Sequence, residues 1–367
     1  MIKKIALTLL LVALLGLLVP GGVAAQSGLA VLDSSVSISF PASITFSITA
    51  ESSSAVDDIR LHYTVDRMSH STVVSEIPLA FNPSTRVTAQ WVWDMRMSGG
   101  MPPGSSINYW WTLSDSAGAE VETVPVTVRM EDNRYDWRSV SQNNVTLYWY
   151  EGDDAFAAEL MDAAQAALSR LDEQTGAELK DPVRLYIYAN SADLRGSMIF
   201  PQEWTGGVAF TEYGVIAIGI NENSLEWGKR AIAHELTHLV VHQVTFNPYN
   251  TLPTWLDEGL AMTAEGELES QFVSVLSEAR SEGLLISVRS LASPFSANTW
   301  ESLLGYAESH EVVSYLIAQF GRDRMLELLN TFERGSGYDE ALEKVYGFDM
   351  DGLNTAWRAS LEAATVS

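Results

Sequence analysis

Residues 231–241 read AIAHELTHLVV, and they place three polar side chains, His234, Glu235 and His238, inside an apolar stretch that is compatible with a helix. Residues four apart on a helix share one face and lie about 6 Å apart along its axis, so His234 and His238 can present two imidazoles to one metal ion. Glu235 would then lie beside that ion. The pattern predicts a zinc site with two histidine ligands and a glutamate as the general base.

Two downstream residues compete for the third zinc ligand, because a hydrolytic zinc site has three protein ligands and keeps a fourth position open for water. His242 lies two turns beyond His234, roughly 12 Å along the axis, which is too far for both rings to reach one ion. We therefore expect His242 to be a packing or supporting residue. Glu258 follows a loop that contains Pro248 and Pro253, where the first helix ends, and an antiparallel second helix can bring it opposite the two histidines.

The motif and its surroundings resemble a known family of enzymes. The segment His234–His238, followed after 19 residues by Glu258 within Trp255–Ala261, is similar to the peptidase MA-like family of bacterial metallohydrolases, a branch of the gluzincins. The resemblance extends from Ser27 to near the C-terminus, through Asn108–Trp111, Glu131–Trp137, Trp204–Phe210 and Ala356–Leu361. It implies a zinc metallopeptidase in which His234, His238 and Glu258 bind Zn²⁺ and Glu235 is the general base.

The resemblance also implies a donor for the oxyanion of the transition state, which enzymes of this branch often take from a Tyr or His in the helical lobe. We expect Tyr306 in this role, and His310, one turn later, is the alternative. For both residues the competing interpretation is an ordinary place in the helical core. Asp257, next to Glu258, either orients a ligand histidine or is a solvated loop carboxylate.

The segment Gly206–Phe210 lies about where related aminopeptidases carry an edge strand that pairs with the main chain of the substrate. Those enzymes also place a glutamate in this strand to hold the free amine of the substrate, whereas Ala209 or Phe210 takes that place here. The difference favours internal cleavage. We therefore expect an endopeptidase that acts on peptides or proteins.

The chain is organised in two parts, and the expected fold class is α+β. Between residues 27 and 130, short segments of alternating apolar and polar residues predict an antiparallel β-sandwich of the immunoglobulin or fibronectin type. From residue 131 to residue 367, strands and helices alternate up to Ser224 and helices follow, as expected for a zincin-type catalytic domain with a C-terminal helical lobe. We expect the first part to be separable from catalysis. In the alternative, some of its tryptophans dock onto the catalytic domain and form one wall of its cleft, and the candidates are Trp91, Trp93, Trp110 and Trp111.

Residues 1–25 predict a signal peptide, because Lys3 and Lys4 precede an apolar stretch that ends at Val19 and is followed by the small residues Val23 to Ala25. The stretch is shorter than the roughly 20 apolar residues of a membrane-spanning helix. We therefore expect a secreted protein without stable membrane insertion after the signal is removed. The sequence contains no cysteine, which excludes disulfides and a lipidated N-terminal cysteine.

The formal net charge is −25, and removal of the two lysines in the leader lowers it to −27. An acidic surface of this kind repels the phosphates of nucleic acids, so a nucleic-acid partner is not expected. The competing function is a catalytically silent zinc-containing protein that uses the sandwich to attach to a partner. The intact Glu235 argues against it. The sequence carries no signal for an oligomeric state.

Overall fold

The computed structural model describes residues 28–202 and 206–366. The predicted signal peptide lies outside these residues, as do Ser27, Trp204 and Thr205 of the family resemblance. The described chain is a mixed α+β structure with an N-terminal antiparallel sheet and a C-terminal helical region. Among residues 28–202 and 206–366, no helix is long and apolar enough to cross a membrane.

Seven antiparallel strands form the N-terminal sheet. They are β1 Ala30–Ser39, β2 Ser43–Val65, β3 Ser75–Pro78, β4 Ser84–Asp94, β5 Ser105–Asp115, β6 Glu120–Glu122 and β7 Val126–Met130. Every second residue at the start of β2, from Ile44 to Ala50, is buried, because successive side chains of a strand point to opposite faces. The alternation that was read from the sequence therefore does mark strands.

The hydrogen bonds of these strands make one continuous sheet. β2 is 23 residues long, and its register shifts between Glu51 and Val56, where such an irregularity bends a strand. Before the shift β2 pairs with β1 and β4, and after it with β3, β5 and the first residue of β4. The two parts pack on each other, since the rings of Phe46 and Tyr109 lie 5.1 Å apart. The antiparallel sheet agrees with the expectation, but a division into the two sheets of an immunoglobulin-like sandwich is not confirmed.

A second sheet of five strands supports the candidate site. Its strands are β8 Arg138–Gln142, β9 Val145–Trp149, β10 Val183–Tyr188, β11 Gly207–Phe210 and β12 Val215–Gly219. They lie in the order β11-β12-β10-β9-β8, with β9, β10 and β12 parallel and the two edge strands antiparallel to their neighbours. All five residues of β12 are buried, as expected for an inner strand that is covered on both faces.

The remaining regular structure of the described chain is helical. The helices are α1 Asp154–Thr175, α2 Ser191–Arg195, α3 Leu225–Thr245, α4 Thr254–Glu265, α5 Ser270–Glu282, α6 Thr299–Phe320, α7 Arg322–Glu333, α8 Tyr338–Tyr346 and α9 Met350–Val366. The sequence signals for helix ends are observed in α1, where the Asp153 side chain accepts a hydrogen bond from the Phe156 amide and Gly176 ends the helix with φ 74°. Helices α1 and α3 pack on the second sheet through a shared apolar cluster that includes Leu160, Ile232 and Leu236.

Helices α4 and α6 approach each other closely in the C-terminal lobe. A β-carbon at Gly259 would lie 2.4 Å from the Ser309 carbonyl oxygen, so only glycine fits at this crossing. Trp255 and Trp357 are fully buried in the core of the lobe. This packing holds α4 and α6 on the side of α3 that carries His234.

The N-terminal sheet contacts the rest of the chain through loops. The Met68 amide donates to the Glu212 carbonyl over 2.7 Å, and the Arg184 guanidinium donates to the Gly104 carbonyl over 2.7 Å. The rings of His70 and Phe246 stack with their centroids 4.2 Å apart. The four tryptophans considered for docking lie elsewhere: Trp111 is fully buried, Trp91 and Trp93 pack against the core of the N-terminal sheet, and Trp110 stacks on His62.

Candidate metal centre

Helix α3 carries the first three residues of the site. Its apolar residues Ile232, Leu236 and Leu239 are buried under the sheet, so His234, Glu235 and His238 lie on the sides that border a cleft. The rings of His234 and His238 lie 4.9 Å apart between centroids, as expected for positions i and i+4. Helix α3 ends at Thr245, and α4 begins at Thr254 and brings Glu258 to the same place.

Three side-chain donors converge there. The Glu258 Oε2 atom lies 3.3 Å from His234 Nε2 and 3.7 Å from His238 Nε2, and the three ligand atoms all lie within 4.8 Å of one another. Tetrahedral zinc with bonds of about 2.0 Å separates its ligand atoms by roughly 3.3 Å. Glu258 Oε2 is buried and has no hydrogen-bond partner among the described residues. A buried oxygen of this kind needs a compensating partner, and a divalent cation fits that need.

Each histidine has a second carboxylate behind it, which is hydrogen-bonded at His234 and within ion-pair distance at His238. His234 Nδ1 lies 2.8 Å from Glu265 Oε1, and His238 Nδ1 lies 3.1 Å from Asp257 Oδ1. Arg230 in turn pairs with the other oxygen of Glu265 over 2.9 Å. This arrangement leaves both Nε2 atoms directed at Glu258, as metal-binding histidines require. Of the two interpretations of Asp257, the geometry agrees with the one in which it orients a histidine.

The carboxylates raise the pKa of both imidazoles. Burial alone would lower the pKa of His234, but the Glu258 and Glu265 carboxylates outweigh it and raise the pKa to about 10. Burial is outweighed in the same way at His238, where Asp257 contributes most to a pKa of about 9. Zinc binds neutral imidazole, so its binding must displace these protons.

Glu235 lies between α3 and the edge strand β11. A β-carbon at Gly207 would lie 3.1 Å from its Oε1 atom, which places the Glu235 carboxylate beside this strand. Burial raises the pKa of Glu235, and the Glu258 carboxylate adds to the rise, while the two histidines oppose it. A raised pKa makes a carboxylate a stronger base, which favours proton transfer from a water molecule.

The two candidate oxyanion donors from the helical lobe, Tyr306 and His310, differ in their position relative to the site. Tyr306 lines a cavity together with His234 and Glu235, and its ring centroid lies 6.4 Å from that of His234. Burial and three nearby carboxylates raise the pKa of its hydroxyl, which therefore stays a hydrogen-bond donor. His310 lies one turn further along α6, with its Nδ1 3.4 Å from Glu311 Oε1, and lines neither of the cavities beside the metal cluster.

His242 does not join the metal cluster, as its distance along α3 predicted. Its ring packs against Phe246, with centroids 5.2 Å apart, and burial lowers its pKa. It lines the cavity on the His238 side of the site.

Glu265 is the residue that the sequence reasoning missed. A signal was present, because Glu265 follows Glu258 by seven residues and so lies on the same face of α4, two turns further on. Residues seven apart on one helix can face the same pair of histidines on a neighbouring helix. The spacing alone does not say which histidine is contacted.

Comparisons with known proteins extend over both parts of the chain. The family description of the Peptidase MA superfamily matches residues 163–363. Among solved structures, the M1 zinc metallopeptidase from Deinococcus radiodurans is 12% identical, with 90% of this chain and 94% of that chain covered and a TM-score of 0.35. A β-1,3-glucan binding domain of carbohydrate-binding module family 56 is 17% identical over 26% of this chain and 96% of that chain, with a TM-score of 0.17. OgpA from Akkermansia muciniphila is 11% identical over 28% of this chain and 27% of its own length, with a TM-score of 0.23. A comparison with curated proteins found no match.

The family match includes every residue of the candidate metal centre. Residues 163–363 contain His234, Glu235, His238, Glu258 and Tyr306, and they make up more than half of the 367 residues. The match supports a zinc metallopeptidase in general terms, with zinc as the implied metal and a peptide as the implied substrate. The chain belongs to the Peptidase MA superfamily.

Proposed function

We propose that the protein is a secreted zinc-dependent endopeptidase in which His234, His238 and Glu258 bind the metal and Glu235 is the general base. The observation that carries the proposal is the convergence of three ligand atoms within 4.8 Å, with the buried Glu258 Oε2 otherwise unpaired, directly beside a buried glutamate. When bound, zinc supplies a Lewis acid that polarises the peptide carbonyl and lowers the pKa of water.

The residues of this chain then have distinct tasks. Glu265 and Asp257 hold the two imidazoles with Nε2 toward the metal position. Glu235 accepts a proton from the attacking water at its carboxylate and returns the proton to the nitrogen of the leaving amine.

Tyr306 is the proposed donor to the carbonyl oxygen as negative charge develops on it. Support comes from its place in the cavity with His234 and Glu235 and from the raised pKa of its hydroxyl. His310 receives less support, because it pairs with Glu311 and lines neither cavity beside the metal cluster.

Internal cleavage is proposed over removal of single N-terminal residues. Aminopeptidase action needs a free carboxylate that binds the amine of the substrate, and β11 offers Ala209 and Phe210 where that carboxylate is expected. The nearby Glu212 already pairs with Arg67 over 2.9 Å. The cavity on the His238 side, about 500 Å³, leaves room for substrate residues that precede the cleaved bond.

Secretion is proposed from the leader pattern in residues 1–25, and the domain boundary near residue 130 from the change of periodicity at that point. The first strand of the second sheet, β8, begins at Arg138.

Two substitutions test the metal centre and the base separately. His238→Ala should lose stoichiometric zinc in metal analysis, whereas His242→Ala, one turn further along α3, should retain it. Glu235→Gln should retain zinc and a thermal midpoint near that of wild type but lose hydrolysis, because the amide keeps the shape and removes the base. Loss of zinc in Glu235→Gln, or unchanged zinc in His238→Ala, contradicts the proposal.

Cleavage mode is tested with matched peptides. N-acetylated and free forms of the same peptide should be cut at the same internal bonds. Activity that requires a free N-terminus would overturn the endopeptidase assignment.

A further inference from the structure

The second sheet has a free edge at β8, on the side away from the metal cluster. The strand order ends at β8, and among the described strands it pairs with β9 alone. Gln142 and Val145 flank the two-residue loop of this hairpin, so they form a hydrogen-bonded pair, and such pairs alternate along the strands. The backbone groups of Ser139 and Ser141 therefore point away from β9 and are free to pair with an added strand.

An apolar groove of about 590 Å³ lies between this edge and helix α1. Its floor is formed by Val140, Trp149, Ala157, Ala158 and Met161. Helix α1 presents the short side chains of its two alanines here, and all five residues of β8 stay exposed, with Val140 at 39%. A free strand edge beside an apolar groove is the arrangement in which proteins bind an extended peptide, because the edge pairs with its main chain and the groove receives alternate side chains.

The two ends of the groove differ in charge. At one end Arg138 is already engaged, because its guanidinium lies 4.9 Å from the centre of the Trp149 ring and its Nη1 atom lies 3.1 Å from Asp154 Oδ1. At the other end the Asp162 side chain is exposed, and it has no ion-pair partner among the described residues. A ligand in the groove therefore meets one unpaired negative charge, and a basic side chain complements it.

Helix α1 runs beside β8 in the same direction. Arg138 at the start of β8 pairs with Asp154 at the start of α1, and Asn143, directly after β8, donates to Gln165 over 2.7 Å. Asp162 lies one turn before Gln165, so it is near the C-terminal end of β8. A peptide that adds as an antiparallel strand passes this end first. It meets Asp162 before the centre of the apolar floor, and its side chains two residues apart face the groove.

We propose that β8 and this groove form a docking site for an extended segment of a partner protein, which adds to the sheet as a sixth, antiparallel strand. The segment carries a basic side chain beside Asp162 and, two residues later, a large aliphatic side chain over Val140 and Met161. Main-chain hydrogen bonds to Ser139 and Ser141 supply affinity, and the groove supplies the sequence preference. A second copy of this chain is disfavoured as the occupant, because each copy has a net charge of −25. The site does not depend on the proposed hydrolysis.

Binding of a short peptide tests the site. A fluorescent, N-acetylated peptide of sequence Thr-Thr-Lys-Thr-Leu-Thr-Thr is titrated with the zinc-loaded Glu235→Gln protein, which lacks the proposed base, and affinity is read by anisotropy. Replacement of the peptide leucine by glycine should weaken binding about tenfold or more, because the apolar contact with the groove is lost. Replacement of the peptide lysine by glutamate should weaken binding about fivefold or more, because two carboxylates then face each other at Asp162.

Substitutions in the protein test the edge and the charge separately, in the same background. Ser141→Pro removes an outward amide but keeps the pairing with β9, since proline is tolerated where the N–H of an edge strand faces solvent. It should weaken binding of the lysine–leucine peptide about fivefold or more. Asp162→Asn should weaken it by about two- to fivefold. The matched control is Glu173→Gln, because Glu173 is an exposed carboxylate of α1 that lies outside the groove, and affinity should stay within about twofold.

Amide hydrogen exchange locates the bound peptide without a change in β8. The peptide should slow exchange of the Ser139 and Ser141 amides about tenfold or more. Slowed exchange that is confined to β11 would show that the peptide binds only beside the metal cluster, and this overturns the proposal. No saturable binding, equal affinity for the three peptides, or undiminished binding to both Ser141→Pro and Asp162→Asn also overturns it. A dimer of the protein alone that slows the same two amides would make a second copy the occupant, which likewise overturns it.

Discussion

Replacement of Glu265 by glutamine tests how the second carboxylate supports the metal site. Glu265 Oε1 accepts from His234 Nδ1 over 2.8 Å, and Arg230 donates to Oε2 over 2.9 Å. The Glu265 side chain is only 11% exposed, so water screens these contacts weakly. A glutamine offers one acceptor where the carboxylate offers two, and its amide group would face either the Arg230 donors or the imidazole N–H.

We expect Glu265→Gln to weaken zinc binding by about 10- to 100-fold, the usual effect of a lost partner behind a ligand histidine. This corresponds to about 1.4 to 2.8 kcal/mol of binding free energy. Competition with a chromophoric zinc chelator measures the dissociation constant. The substitution also lowers the pKa of His234, which eases proton displacement, so the gap between variant and wild type should widen as the pH rises from 6 to 9.

Glu269→Gln is the matched control, because Glu269 pairs with the same Arg230 over 3.0 Å while its other oxygen accepts from Gln271 rather than from a histidine. It should bind zinc within about twofold of wild type. The reasoning is refuted when Glu265→Gln binds zinc as tightly as this control at every pH.

Three further predictions follow from the buried groups and from the N-terminal contacts. Zinc binding at pH 7 should release about two protons, because the pKa values of His234 and His238 are about 10 and 9. Calorimetry in buffers of different ionisation enthalpy measures the number of protons released. Release of no proton would contradict these pKa values. Burial raises the pKa of Glu308 from 4.5 to about 8. Between pH 5 and about 8 the folded protein therefore keeps a proton on Glu308 that the unfolded chain loses. The free energy of unfolding should fall by up to a few kcal/mol over this range. Urea denaturation should show that slope in wild type and lose it in Glu308→Gln. A chain that begins at Glu131 should fold and bind zinc, because the two apolar clusters that include α3 and α4 contain no residue of the N-terminal sheet, although Ile199 and Tyr213 would lose their packing against that sheet. It should bind peptides more weakly without the loop that supports Glu212. A truncated chain that cannot bind zinc would contradict this.

The local pattern of the chain was enough to predict that the side chains of His234, His238 and Glu258 come together. His234 and His238 share a face because they are four residues apart on a helix. Glu258 returns to that face because a proline-containing loop ends the helix and a second helix follows. Both features can be recognised in the local sequence. The same is true of the strand positions and of helix ends such as Gly176. Periodicity determines which residues share a face of a helix or strand, so a short segment of sequence is enough to predict that face.

Tertiary structure decided which groups meet across the fold. The sequence could not identify Glu265 as a partner of His234, because the contact depends on how α4 crosses α3. Trp255 of α4 and Val240 of α3 lie in one apolar core at that crossing. The continuous N-terminal sheet also required the structure, since alternation predicts strands but says nothing of the pairing of β2 on both sides of its bend. Strand pairing and helix packing depend on contacts between residues that are distant in the chain. Their free energies therefore depend on the whole fold and not on a local segment.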